Sequence, residues 1–179
     1  GMTTTAVYIT VAALIVPSLV KAGILPVAAH MFAFYFGVVS SITPPVALAS
    51  FAGAAIAKSP PMATAFESSK VGIAKYIVPF AFVYNPSLLL QGPILISLYS
   101  LISVLAAYWA MTLGLEGWLK GALSFSKRLI ALIASLLLLI PPLINFMGFS
   151  GFAINGIGLV FLISLYLMPN KQELSRVKS

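Results

Sequence analysis

Cysteine is absent from the 179 residues. With it go disulfide frameworks, thiolate metal sites and Cys nucleophiles. Acids are nearly absent as well: Glu67, Glu116 and Glu173 are the only three, and His30 is the single histidine. That leaves little for acid–base catalysis or for a carboxylate–histidine metal centre. Charge of either sign is scarce, at 7% of residues, where a soluble domain carries about 25%. What is abundant is apolar: 61% of residues are hydrophobic and the mean hydropathy is +1.10. A water-facing surface cannot be assembled from so few charged side chains, so the chain is read as lipid-embedded and in contact with the bilayer along much of its length. The ten Lys and Arg over three acids, net +7, are then a topology signal. A nucleic-acid partner is excluded, because it would need a soluble basic face.

A membrane-spanning helix needs about 20 apolar residues. Three tracts free of Asp, Glu, Lys and Arg can be set against that length: 36 residues between Lys21 and Lys58, 40 between Lys75 and Glu116, and 42 between Arg128 and Lys171. The last two are each about two spans long and carry turn signals near their middles. These are Tyr84-Asn85-Pro86-Ser87 with Gln91-Gly92-Pro93, and Asn145 through Gly151. Spans are therefore expected near 76–91, 94–114, 129–147 and 152–168, with Pro141-Pro142 kinking the third.

The 36-residue tract is too long for one span and too short for two. At its centre stands Ser40-Ser41-Ile42-Thr43-Pro44-Pro45. Adjacent prolines remove two helix donors and push the preceding residue out of the α region. The expected form is a discontinuous helix, 24–40 and 45–57, unwound between. After about 25 Å of descent at 1.5 Å per residue, the gap is expected deep in the bilayer. Backbone of that kind survives there only when buried in protein or lining a cavity. The opening stretch, from Ala6 to Val20 behind Thr3-Thr4-Thr5, is short for a crossing and suits one arm of a re-entrant hairpin whose tip is the threonine run. No charged segment precedes it, so a secretory signal peptide is not expected. Segments 61–75 and 116–128 read as amphipathic helices on the inner surface. By the positive-inside rule Lys58, Lys70, Lys75, Lys120, Lys127, Arg128 and the tail residues Lys171, Arg176 and Lys178 all fall on the cytoplasmic side, with Lys21 outside.

Two hydroxyl clusters sit beside irregular backbone: Thr3, Thr4 and Thr5, and Ser40, Ser41 and Thr43. Hydroxyls and freed carbonyls can ligate a dehydrated Na⁺ without introducing a full charge. Half-helix ends add dipoles that favour an anionic substrate on one side and a cation on the other. The plainer reading is that such hydroxyls bond back to their own helices or pack them together. His30 is read as packing or interfacial rather than as a proton relay, Glu67 and Lys70 as a solvated surface pair, Asn145 and Asn155 as bonding across helices, and Gly156 and Gly158 as sites of close helix approach. No Ser/His/acid set, paired intramembrane carboxylates or phosphate loop is present, so an enzyme is not expected.

The runs Gly1-Met2-Thr3-Thr4-Thr5-Ala6-Val7-Tyr8-Ile9, Ala28-Ala29-His30-Met31-Phe32, Ser41-Ile42-Thr43-Pro44-Pro45-Val46-Ala47-Leu48-Ala49 and Val78 through Pro86 closely resemble the large membrane subunit of TRAP (tripartite ATP-independent periplasmic) transporters. The form nearest in kind joins small and large subunits in one chain. The resemblance covers about residues 1–91, the C-terminal part of the transport domain; residues 92–179 look like a C-terminal membrane extension of three spans and a basic tail. It implies an all-α polytopic membrane protein with a re-entrant hairpin arm, a discontinuous helix and about four further spans, in the bacterial inner membrane with its C-terminus cytoplasmic. It further implies an elevator-type importer of an organic anion, usually a carboxylate, handed over by a periplasmic solute-binding protein. Na⁺ is the coupling ion and no cofactor is required.

By position, Thr3, Thr4, Thr5, Ser40, Ser41, Ile42 and Thr43 would help hold Na⁺, and Thr4, Ser41, Thr43 and Pro44 would face the substrate. One departure is Thr3, where the family pattern usually has Pro. The first repeat, the proximal hairpin arm and the small-subunit region are expected on the rest of the permease, so this portion alone is not expected to transport. The alternative is a structural or assembly module whose hydroxyls only pack helices.

Overall fold

The structure, a computed structural model, describes residues 3–119, 121–146 and 148–168. The tail residues Lys171, Arg176 and Lys178, and Lys120, lie outside them. The chain divides into two units, Gly1–Gln91 and Gly92–Ser179.

In the first unit, helix α1 (Thr4–Lys21) starts directly at the threonine run, with Thr3 as its cap: the Ala6 amide donates to Thr3 Oγ1 at 3.4 Å. Thr4 and Thr5 are thus the first helical residues and not a loop. The chain reverses through Gly23, whose φ of +90° only glycine takes readily. It enters α2 (Pro26–Val39), with Pro at the first helical position. Ala29, Ala33 and Gly37, spaced four apart, form a buried stripe on α2. In lipid, where apolar association has no hydrophobic driving force, such small residues let two backbones approach. A Cβ on Gly37 would lie 3.3 Å from the Thr4 carbonyl oxygen and 3.5 Å from the Tyr8 amide. Val16, Tyr8, Val11, Ala12 and Leu19 fill the rest of the α1–α2 seam.

Helix α2 stops at Val39 and the chain resumes as α3 (Leu48–Ala57). The discontinuity expected around Pro44-Pro45 is present, with residues 40–47 outside any helix. Lys58, at φ 51°, ends α3, and α4 (Pro61–Val71) packs back along it. A tight corner then starts α5 (Ala74–Tyr84), which runs along α2. Phe80 meets Phe32 edge-on at 5.3 Å and Phe36 at 6.1 Å, and Phe82 lies edge-on to Tyr35 at 5.4 Å. The span expected over 76–91 is shorter than that. Asn85-Pro86 ends α5 at Tyr84, and Pro86–Leu89 form a 3₁₀ turn.

The second unit opens with α6 (Ile94–Glu116), close to the expected 94–114. The amphipathic helix expected over 116–128 is not formed. Gly117, at φ +72°, terminates α6, Trp118 and Ala122 make an isolated antiparallel bridge, and Lys127 and Arg128 belong to the first turn of α7 (Phe125–Leu138). Arg128 explains part of this. Its Nε donates to the Gly114 carbonyl at 2.9 Å and its Nη2 to that of Leu115, capping the negative end of α6.

The prolines 141 and 142 end α7 instead of kinking a helix over 129–147. The chain turns through a two-residue ribbon, β1 (Asn145–Phe146) against β2 (Phe149–Ser150), into α8 (Gly151–Leu167). The core of this unit is Ala107, Ala110, Leu113, Ala131, Ala134, Leu138, Leu162 and Leu165. Gly158 is a close approach, where a Cβ would meet Leu138 Cγ at 2.9 Å and the Ala134 carbonyl at 3.2 Å; Gly156 is not, with nothing within 4 Å.

Among the described residues, α1 and α6 are long and apolar enough to cross a bilayer, and α2, α3 and α8 are shorter apolar helices. Large apolar side chains stand exposed along α6 and α8, Leu95 at 77% and Leu167 at 74% among them. In a chain this poor in charge, that is the surface a bilayer covers.

Candidate functional site: the unwound segment of the first unit

Pro44 and Pro45 lack the amides that would have reached the Ser40 and Ser41 carbonyls. Both carbonyls find other donors: the Thr43 amide reaches Ser40 O at 3.3 Å, and the Ala49 amide, in the first turn of α3, reaches back to Ser41 O at 3.0 Å. The C-terminal end of α2 and the N-terminal end of α3 therefore meet over the same few residues, bringing opposite dipole ends together. The hydroxyls of the segment bond locally. Ser40 Oγ donates to Gly37 O at 2.7 Å, Ser41 Oγ to Val38 O at 2.7 Å and Thr43 Oγ1 to Val39 O at 2.8 Å. Each donation commits the proton and leaves oxygen lone pairs, which are what a cation takes.

The other cluster arrives through the α1–α2 seam. Gly37, which carries the carbonyl bonded to Ser40, is the residue against which Thr4 packs. The start of α1 and the unwound segment thus lie within a helical turn of one another along α2. Thr4 is half-buried here, while Thr3 and Thr5 are exposed. Thr4 is brought to the segment by a contact of its own backbone carbonyl, and Thr3 and Thr5 flank it at the start of α1.

Ser69 and Tyr76, which the sequence did not single out, also belong to the site. Ser69 Oγ donates to the Ile42 carbonyl at 3.0 Å, Tyr76 OH and Thr43 Oγ1 are 2.7 Å apart, and Tyr76 OH donates to Ser69 Oγ at 3.3 Å. The Ile42 side chain rests on Gly72, where a Cβ would meet its Cδ1 at 2.5 Å. The α4–α5 corner thereby clasps the gap. A cleft of about 310 Å³ opens beside it, lined by Phe36, Val39, Ser40, Thr43, Pro44, Val46 and Tyr76.

Ile42 also borders a second cavity, of about 450 Å³, together with Glu67 and Lys75. The exposed Glu67–Lys70 pair, 2.7 Å apart, sits on the same helix. Ile42 of the gap and Glu67 of α4 therefore line one cavity. His30 stands apart from the gap: it is exposed, and its Nδ1 is 2.9 Å from Tyr8 OH, a contact across the α1–α2 seam.

A largely helical chain with lipid-facing surfaces and a polar, unwound segment enclosed between two half-helices is the architecture of a membrane transport permease. The family model described as "Tripartite ATP-independent periplasmic transporter, DctM component" matches residues 1–97, more than half of the chain, and the chain belongs to that family. It is a multi-pass membrane component of a transporter and not an enzyme, and its family works with a periplasmic binding protein and further subunits. No curated protein and no solved structure matches the chain.

Proposed function

We propose that this chain is part of the permease of a Na⁺-driven importer of organic anions, carboxylates in the first instance, which moves its transport domain in an elevator-like way. In this reading Ser40, Ser41 and Thr43, with carbonyls of the gap including that of Ile42 and with the start of α1 (Thr3, Thr4, Thr5), supply oxygens to Na⁺. Thr4, Ser41, Thr43 and Pro44 face the anion. The cation carries the coupling, and the anion meets the N-terminal end of α3. The remaining permease elements, the first repeat and the small-subunit region, would complete the site and the path. The clustering of Lys and Arg supports a cytoplasmic C-terminus.

The observation that carries this reading is the unwound stretch over residues 40–47, where two helix ends of opposite polarity meet three hydroxyls beside an open cleft. The test is Na⁺-dependent uptake by the complete transporter in liposomes, with its binding protein supplied. Ser41→Ala and Thr43→Val should each raise the Na⁺ concentration needed for half-maximal uptake by about tenfold, the loss of one good ligand. A second reading, a packing module without a site, is favoured by one fact: all three hydroxyls already bond to carbonyls one turn back. Uptake unchanged in both variants, with normal folding, would decide for it.

A further inference from the structure

We propose that Tyr76 and Ser69 are positioning residues for cation binding at the unwound segment, holding the Thr43 hydroxyl and the Ile42 carbonyl in place from the α4–α5 corner; this rests on the Na⁺ reading given above. Residues 40–47 lie outside any helix and are held by local turn bonds, such as the Ile42 amide to Val39 O at 3.0 Å and the Ala47 amide to Thr43 O at 3.0 Å, so ties from other helices add to a short local framework. Two of its oxygens, Thr43 Oγ1 and Ile42 O, are tied to groups 33 and 27 residues away, and those groups are bonded to each other.

The result is a closed circuit: Val39 O, Thr43 Oγ1, Tyr76 OH, Ser69 Oγ and Ile42 O, with the chain between Val39 and Ile42 completing the ring. A ring of this kind fixes distances between oxygens on one segment. A cation site requires that, because ordering loose ligands is subtracted from the binding free energy. Three protons serve the four contacts: Thr43 gives its proton to Val39 O, Ser69 gives its own to Ile42 O, and the single phenolic proton of Tyr76 goes to either Thr43 or Ser69, so one of the two Tyr76 contacts is without a proton at any instant. Tyr76→Phe would keep the aromatic packing against the gap and remove only the tie. Ser69 and Tyr76 are half-buried, so neither needs the hydroxyl to satisfy a deeply desolvated position. That argues against a purely structural role.

The experiment uses the complete transporter in liposomes or nanodiscs, with NaCl replaced stepwise by choline chloride at constant ionic strength. It reads Na⁺-dependent thermal stabilisation and Na⁺-dependent uptake. Tyr76→Phe should raise the half-saturating Na⁺ concentration roughly three- to tenfold, the range of one hydrogen bond, with maximal uptake little changed. Ser69→Ala should do the same, Ser69→Thr should restore it, and the double variant should show less than the product of the two single effects, since both cut one ring.

If the parent protein shows no response to Na⁺, the coupling reading fails and the proposal falls with it. If the parent responds while Tyr76→Phe and Ser69→Ala keep its half-saturation, or lower it, the positioning role alone is overturned. A drop in melting temperature at zero Na⁺ with unchanged half-saturation marks the tie as merely structural and overturns it too. Should Tyr76→Phe fail to fold, the Ser69→Ala and Ser69→Thr pair decides by itself.

Discussion

Of the three pairs of adjacent prolines in this chain, Pro60-Pro61 opens α4, while Pro44-Pro45 and Pro141-Pro142 each follow the end of a helix in different surroundings. Around Pro44-Pro45 the polar groups come from the interrupted stretch itself: Ser40, Ser41 and Thr43 bond to carbonyls of the turn before them, and the helix resumes as α3. Around Pro141-Pro142 they come from other helices. The missing proline amides would have reached Leu137 O and Leu138 O. Ser103 Oγ of α6 donates to Leu138 O at 2.9 Å, and the Asn155 amide of α8, oriented so that its nitrogen faces acceptors, donates to Leu137 O at 2.8 Å and Ile140 O at 3.1 Å.

Asn155 is fully buried, whereas Ser40, Ser41, Thr43 and Pro44 are half-buried, three of them lining a cleft. One proline pair thus leaves a polar segment accessible; the other is sealed by polar side chains acting as interhelical ties. A proline pair alone does not mark a site. Hydroxyls on the interrupted segment together with an opening beside it do.

The largest expected effect that separates the two is on the sealed side. Asn155→Leu removes the side-chain donor from the Ile140 carbonyl and leaves the Leu137 carbonyl with the Ile140 amide alone, beside a fully buried position, at a cost of about 2 kcal/mol. Unfolding in detergent, or resistance to thermal aggregation in nanodiscs, should register that loss, while the Na⁺ concentration for half-maximal response stays at the parent value. Thr43→Val should do the reverse, moving the Na⁺ response about tenfold and costing no more than about 1 kcal/mol in stability. Were Asn155→Leu to move the Na⁺ response as far as Thr43→Val, the distinction between a site and a tie would collapse.

Packing offers a sharper, smaller contrast within α8. Gly158→Ala forces its new methyl toward Leu138 and the Ala134 carbonyl and should cost about 1–2 kcal/mol. Gly156→Ala meets nothing within 4 Å and should be neutral, or stabilising by up to about 1 kcal/mol, because alanine is the better helix former. Equal losses in thermal melts of the two variants would show that the α7–α8 approach is looser than Gly158 implies.

The contrast also explains what was legible beforehand. Tract length and turn residues placed α6 and α8 to within a residue or two, because a tract and its breaks are local properties. The gap at Pro44-Pro45 was legible for the same reason. The fate of Pro141-Pro142 was not. Whether a proline pair kinks a helix or ends it depends on which groups take up the freed carbonyls, and Ser103 and Asn155 are 35 and 18 residues away from their acceptors Leu138 and Leu137. Ser69 and Tyr76 were missed likewise, since their bonds cross from another helix. Ser69 lies in segment 61–75, read as an amphipathic helix on the inner surface, and Tyr76 in the span expected over 76–91. The helix expected over 116–128 is broken at Gly117, whose left-handed backbone ends α6 before the bridge, with Arg128 of α7 capping that end.

The smallest expected effect concerns α6, where Ser97 and Ser100 are buried yet their hydroxyls have no hydrogen-bond partner among the described residues, while Ser103, on the same helix, is bonded to Leu138 O. If partnered hydroxyls are what tie this unit together, an unpartnered one contributes nothing and its desolvation is a small cost. Ser100→Ala should then change stability by less than about 0.5 kcal/mol, or raise it slightly, whereas Ser103→Ala should lower it by about 1 kcal/mol. Matched thermal melts of the two variants measure the difference directly. A loss for Ser100→Ala as large as for Ser103→Ala would mean that Ser100 is held by a bridging water, extending the tie of the sealed proline pair along α6 toward Ser97.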